Sequence, residues 1–394
     1  MSRRLLARVR SRALAACLTA GLLVPGLLAL NASAAADPNQ IPPPPALTAR
    51  AYLMVDHNSG RVLASLNENE KLDPASITKL MTAYAVFRSV RDKRIGIEDP
   101  VLIGEAAWRT GGSRSFVDLG ARVPLSVLLQ GMIIQSGNDA SVALAEHVSG
   151  SEAAFAELMN QYAKELGMTG THYRNATGLP DPDHYTTATD ILKVANAIIR
   201  EFPEYYRWYS QKDFTWNGIT QSNRNGLLWR DSTVDGMKTG FTDTAGYCLV
   251  SSALRDGMRL VSVVLGTASP RAREQESQTL LNYGYRFYET QLLLPAGKAL
   301  SDVRLWKGEK ELAGVGVQRN VWVTVPRGTA AQLKPTFTLP AQVMAPLDPA
   351  VELGKVRVTL ADLTIAEAGL YPVEAVPTGS LWQQARDTVL LWFE

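Results

Sequence analysis

Apolar positions change their spacing along the chain, and each change marks a different kind of element. On either side of His57-Asn58-Ser59-Gly60 they run or alternate, which predicts a β-hairpin with strands over 51–56 and 61–65. From Ser76 to about Arg91 the spacing becomes helical. Ile77, Leu80, Met81, Tyr84 and Phe87 recur at three- and four-residue intervals, on a face broad enough for a buried helix. Helical spacing returns over 125–135, 139–148, 152–166 and 189–200, the last opening with the capping residues Thr187, Thr189 and Asp190. Strand-like runs follow over 234–241, 246–255 and 258–267, with Asp256-Gly257 as a hairpin turn, and then a helix over 271–288. Strands at both ends with helices between predict an α/β domain of the α+β kind over 49–290, a mostly antiparallel sheet flanked by helices.

Beyond about Leu292 short β-rich segments (321–325, 355–360, 370–376) alternate with Pro and Gly, predicting a separate small β-sandwich over 291–378. Residues 379–394 are helical again. At 100° per residue Leu381, Trp382, Ala385, Thr388, Val389, Trp392 and Phe393 share one face, opposite Gln383, Gln384, Arg386, Asp387 and Glu394. Such a tail fits insertion at a membrane surface or docking on its own β domain; the aromatic face favours the membrane.

Composition narrows the class. A chain of 394 residues, 46% hydrophobic and 20% charged, is globular rather than disordered or coiled-coil, and long enough for two or three domains. Its formal net charge of +2 owes five positive charges to Arg3, Arg4, Arg8, Arg10 and Arg12. Residues 1–36 contain no acid, so +2 less 5 leaves −3 on the remainder, which argues against a nucleic-acid partner. Those 36 residues join the basic start to an apolar run over 13–30 and small residues at 32–36. They read as a secretory signal, although the run would also suit an uncleaved anchor. Residues 37–48, with Pro42 to Pro45, read as a stiff spacer. Two cysteines exclude a disulfide framework, and Cys248 lies in an apolar strand as inert core. His57, His147, His172 and His184 lack metal-ligand spacing; neither a metal nor another cofactor is expected.

Three short motifs occur in order: Ser76-Ile77-Thr78-Lys79, Ser136-Gly137-Asn138 and Lys238-Thr239-Gly240. Each is weak alone, but their order matches S-x-x-K, S-x-N and K-T-G of penicillin-interacting serine enzymes. A serine hydroxyl needs a base to become nucleophilic, and Lys79 follows Ser76 by one helical turn. Lysine is a base only when neutral; burial and a second cation, for which Lys238 is the candidate, both favour that form. Ser136 and Asn138, at the junction of two helices, are placed to relay a proton and to hold a substrate amide. The strand carrying Lys238 and Thr239 offers a carboxylate site and an edge for extended peptide, with Gly240 permitting close approach. The amides of Ser76 and Phe241 are candidate oxyanion donors.

The chain resembles the low-molecular-mass penicillin-binding proteins that are serine-type D-alanyl-D-alanine carboxypeptidases. The resemblance rests on Pro74-Ala75-Ser76-Ile77-Thr78-Lys79-Leu80-Met81-Thr82, Gln135-Ser136-Gly137-Asn138-Asp139-Ala140, Val234-Asp235-Gly236-Met237-Lys238-Thr239-Gly240 and Asn223-Arg224-Asn225-Gly226-Leu227-Leu228-Trp229, with the β domain and tail. It implies an exported enzyme on the periplasmic side of the bacterial inner membrane, acting on the pentapeptide stem of peptidoglycan. It further implies Ser76 as acyl-enzyme nucleophile, Lys79 as general base, β-lactams as acylating inhibitors, and Arg224 and Arg273 as carboxylate-recognition residues. Gly111-Gly112-Ser113 matches a loop bordering the site in relatives. Phe241 departs from the pattern, since relatives carry His after K-T-G. Two other readings stay open: a β-lactamase, for which Glu165 is the nearest deacylating glutamate, and a catalytically idle peptidoglycan-binding protein.

Overall fold

The structure, a computed structural model, describes residues 41–393. The expected signal segment 1–36 and the first residues of the expected spacer lie outside them. Five antiparallel strands form the central sheet: β1 (Ala51–Asp56), β2 (Val62–Leu66), β3 (Val234–Thr242), β4 (Gly246–Arg255) and β5 (Met258–Thr267), in the order β2-β1-β5-β4-β3. Both faces are covered, which explains why these strands read as continuous apolar runs. Leu53, Val55, Val261 and Val263 face a helical layer, while Tyr52, Met54, Leu260 and Val264 face a single long helix behind the sheet.

The helical layer contains α1 (Lys79–Arg91), α2 (Leu125–Ile134), α3 (Asn138–Ser149), α4 (Glu152–Glu165) and α5 (Ala188–Glu201); α6 (Pro270–Phe287) is the helix behind. Side-chain caps set several of their starts, with Ser151, Thr187 and Ser269 accepting from backbone amides of α4, α5 and α6. Helix α1 is buried along most of its length, as its broad apolar face predicts. At its centre Phe87 stacks on Tyr205 with centroids 4.8 Å apart and meets Phe202 at 5.4 Å.

Residues 41–48 are docked along α6 instead of forming a free spacer. Tyr283 donates to the Pro42 carbonyl at 2.9 Å, and the Glu276 carboxylate accepts from the amides of Thr48 and Ala49 at 3.2 and 3.0 Å. Ile41 and Leu47 pack on the same core, so the segment has apolar anchors on both sides of its prolines.

The C-terminal region is β-rich, as expected. A six-stranded sheet contains β7 (Ser301–Trp306), β8 (Leu312–Gly316), β10 (Leu333–Thr338), β11 (Val343–Met344), β12 (Gly354–Leu360) and β13 (Leu363–Pro372). A ribbon of β6 (Tyr288–Leu294) with β9 (Val321–Pro326) packs on it through Leu294, Val323, Val356, Val358 and Leu370. The division expected after residue 290 falls inside β6. The strand expected over 370–376 instead occupies Leu363–Pro372, because β12 and β13 are joined tightly through Ala361-Asp362. Small residues Ala366, Ala368 and Gly369 hide its register in the sequence.

A polar knot ties this region to the catalytic sheet. Asp56, fully buried at the end of β1, accepts from Ser59 N at 2.7 Å and from Thr290 Oγ1 at 2.9 Å. Thr324 Oγ1 lies 2.6 Å from Ser59 Oγ, and its carbonyl accepts from Arg61. The tail helix α7 (Leu381–Leu390) begins with a Ser380/Gln383 capping box. Its polar side faces the protein: Asp387 is 1% exposed and accepts from Lys307 N at 2.7 Å, and Arg386 pairs with Glu311 at 2.8 Å. Leu381, Trp382 and Trp392 are about 80% exposed. No helix among the described residues is long and apolar enough to cross a membrane.

Phe87→Ala removes the α1 ring that stacks on Tyr205 and meets Phe202. It should lower stability by about 3–5 kcal/mol, read as a lower urea midpoint of the purified protein. An unchanged midpoint would show that these ring contacts do not anchor α1.

Candidate active site

A 3₁₀ turn (Ala75–Thr78) leads directly into α1, placing Ser76 and Lys79 three residues apart. Ala75 has a φ of +47°, and Gly178, at φ +83°, presses against it. A Cβ on residue 178 would lie 1.8 Å from the Ala75 carbonyl oxygen, so only glycine permits this approach. Asn175 shapes the same loop, its Oδ1 accepting from Gly178 N at 2.7 Å and from Thr177 Oγ1 at 3.0 Å.

The loop delivers a carbonyl to the lysine. Lys79 Nζ donates to Thr177 O at 2.6 Å and to Asn138 Oδ1 at 2.7 Å, and lies 2.9 Å from Ser76 Oγ. Asn138 cannot turn its amide round, because Nδ2 donates to Gly111 O at 2.7 Å. A neutral amine has two N–H groups and one lone pair. Two fixed acceptors use the N–H groups, which leaves the lone pair for the serine O–H. Lys79 is 1% exposed. Burial pushes its pKa down to about 7, Arg224 acts in the same direction, and the carboxylates of Asp139 and Glu152 oppose them. A substantial fraction of the amine is therefore neutral, and able to act as a base, near neutral pH.

Ser136 sits between α2 and α3 with φ +69°, where Lys238 Nζ donates to its Oγ at 2.9 Å and to Thr239 O at 3.1 Å. Burial holds the Lys238 pKa well below the usual lysine range, followed by the charges of Lys79, Arg224 and Arg273. The repulsion between the two buried lysines is mutual, and Arg224 adds to it at both.

Above these groups opens a cleft of about 700 Å³. Ser76, Ser136 and Asn138 line it from the helical side, and Thr239, Gly240 and Phe241 from β3. Strand β3 is the edge of the sheet, free to pair with an extended ligand. A side chain at Gly240 would come 3.1 Å from the Pro74 carbonyl oxygen, on the turn that carries Ser76. Arg224 and Arg273 close one end. Arg273, 7% exposed, donates to Gly240 O at 3.3 Å and to Arg224 O at 3.4 Å, and its Nε has no partner. Neither arginine forms an ion pair among the described residues, and Glu274 binds Arg230 at 2.9 Å instead. Burial lowers the pKa of both. Two cations with no direct ion pair, and only the Glu274 carboxylate acting on Arg273, make this end suited to a carboxylate.

The structure thus gathers the ten candidate catalytic and substrate-binding residues: eight line the cleft, and Lys79 and Lys238 sit beneath it bonded to Ser76 and Ser136. Gly112 and Ser113 also border it. Glu165 does not; it pairs with Arg88 at 3.2 Å at the end of α4. Sequence reasoning missed the carbonyls of Thr177 and Gly111, which have no side-chain signature. It also missed Gly178, whose role depends on a distant carbonyl. Cys248 is buried, and burial pushes its thiol up to about 11.

A hydroxyl paired with a neutral buried amine, beside an open strand edge with a cationic end, defines an active-site-serine acyl-transfer enzyme. Residues 38–269 match the family profile described as D-alanyl-D-alanine carboxypeptidase, and 288–378 match that of the penicillin-binding protein 5 C-terminal domain. The chain is 40% identical over 361 residues to D-alanyl-D-alanine carboxypeptidase DacA of Escherichia coli (strain K12), covering 90% of each. It is 42% identical over 349 residues to DacA of Haemophilus influenzae, covering 86% of this chain and 89% of the relative. The crystal structure of penicillin binding protein 5 from Haemophilus influenzae superposes with a TM-score of 0.81 at 42% identity, over 85% of this chain and 99% of that one. The chain belongs to the D-alanyl-D-alanine carboxypeptidase family.

Because the active form of Lys79 is the neutral one, the acylation rate should rise with pH through an apparent pKa of about 7 and then level off. The Glu152 carboxylate holds that pKa up, so Glu152→Gln should shift the limb to lower pH. Stopped-flow acylation by a chromogenic cephalosporin across pH reads both. A limb that stayed in place or moved upward would contradict the assigned charge coupling.

Proposed function

We propose that the protein removes the terminal D-alanine from peptidoglycan pentapeptide stems through an acyl-enzyme on Ser76. The coordination of Lys79 Nζ carries this reading, since it leaves the base lone pair facing the nucleophile. Lys79 takes the Ser76 proton as Oγ attacks the penultimate D-alanine carbonyl. The amides of Ser76 and Phe241 receive the oxyanion. Ser136, held by Lys238, relays the proton from Lys79 to the nitrogen of the leaving D-alanine, which returns Lys79 to its neutral form for the attack of water. Arg273 and Arg224, with Thr239, hold its carboxylate, which favours a free C-terminus over an internal peptide bond. Asn138 and the edge of β3 hold the stem. Water then attacks the ester, releasing the shortened stem and restoring the hydroxyl. A β-lactam presents a similar carboxylate and carbonyl and acylates the same oxygen. The β-lactamase alternative loses support, because its candidate Glu165 is engaged with Arg88 outside the cleft.

The same reading places the protein on the outer face of the bacterial inner membrane, held by α7. A soluble helix buries its apolar side; α7 does the reverse, with Asp387 inward and Trp382 and Trp392 outward. Indole and leucine side chains displayed together on an amphipathic helix suit the interface of a lipid bilayer.

Ser76→Ala should abolish both labelling by fluorescent penicillin and D-alanine release from diacetyl-L-Lys-D-Ala-D-Ala; undiminished turnover would refute the nucleophile. In the wild type the label should persist through a chase. Immediate loss would favour a β-lactamase, and absence of both signals an idle binding protein. Deleting residues 379–394 should move the signal-processed protein from the membrane to the soluble fraction with tripeptide cleavage intact. Continued sedimentation with membranes would locate the anchor elsewhere.

A further inference from the structure

We infer that the stacked pair Phe241–Tyr247 selects the side chain of the departing C-terminal D-residue, favouring an apolar group over a polar one; the inference rests on the carboxypeptidase reading above. Side chains alternate along β3. Lys238 reaches Ser136, and Gly240 faces the turn carrying Ser76, so both belong to the helical side of the sheet. Thr239 and Phe241 take the other side. There Phe241 pairs across the ladder with Tyr247 of β4, ring centroids 4.2 Å apart and planes 26° from parallel.

The pair is joined to the carboxylate receptor. The Arg273 guanidinium lies 5.7 Å from the centroid of the same Tyr247 ring while donating to Gly240 O. A D-residue whose carboxylate is held by Arg273 carries its side chain on the adjacent Cα. That side chain therefore falls beside the aromatic pair. Phe241 is 47% exposed although both rings line the cleft, so a large apolar surface is left open at this end. A phenylalanine ring offers contact and desolvation but no hydrogen bond to an incoming hydroxyl. A methyl group gains from it, and a hydroxyl of the same size loses its water without replacement.

Two near-isosteric peptides read this preference: diacetyl-L-Lys-D-Ala ending in D-2-aminobutyrate or in D-serine. The wild-type kcat/KM should favour D-2-aminobutyrate by about 10-fold, the lower end of the range a methyl-sized contact provides, as suits a half-open site. Phe241→Asn and Tyr247→Ala should each bring the ratio to within about twofold of unity, whereas Tyr247→Phe, which keeps the stack, should retain it. Labelling by fluorescent penicillin confirms that each variant is folded and acylates. A wild-type ratio near unity, or an unchanged ratio in both Phe241→Asn and Tyr247→Ala, overturns the proposal while D-alanine release from D-Ala-D-Ala continues. Failure of the wild type to release any terminal residue would overturn the underlying reading and this proposal with it, a result distinct from a flat ratio.

Discussion

One buried amine organises the catalytic half of the molecule. Lys79 Nζ is surrounded by two acceptors and one hydroxyl, and each comes from a different part of the chain. The hydroxyl belongs to its own turn, the amide oxygen to the start of α3, and the carbonyl to a loop held by Asn175. Three oxygens could equally satisfy an ammonium, so it is burial and the nearby Arg224 charge, not a missing acceptor, that favour the uncharged form. Several backbone oddities follow from the same demand. Gly178 lies hard against Ala75, Ser136 adopts a left-handed conformation, and Asn138 has its amide fixed by Gly111.

The second demand is charge without counter-charge. Arg224 and Arg273 crowd one end of the cleft with Lys238 beneath it, and the acid in the same lining, Glu274, is paired with Arg230. Their mutual repulsion costs stability in the empty enzyme. A terminal carboxylate relieves it, so binding strength is concentrated on the feature that distinguishes a chain end from a peptide bond inside a chain.

Much of this was legible from local patterns. Ser76 and Lys79 are one turn apart, and the helix spacing around them predicts their burial. The strands Val234–Thr242 through Met258–Thr267 follow from apolar runs separated by turn residues. What escaped notice depends on atoms that every residue possesses. The Thr177 and Gly111 carbonyls are functional through position alone, and no residue type announces that. The part Arg224 plays in depressing Lys79 also needed distances in space, because nothing along the chain places it near that lysine. Residues 41–48 looked like a spacer because of their prolines, yet Ile41, Leu47 and the two amides at Glu276 fasten them to α6. The amphipathic tail was recognisable, but only the contacts of Asp387 revealed which side meets the protein.

Asp56, Ser59, Thr290 and Thr324 tie the catalytic sheet to the β-rich region through partly buried hydrogen bonds. The joint is thereby braced rather than hinged. A reactive centre on a swivelling tether sweeps a volume, whereas one on a stiff mast works at a fixed altitude. If α7 is seated in lipid as proposed, trimming would be confined to a thin slab of cell wall parallel to the bilayer, and the length of the β region would be the ruler that sets its depth.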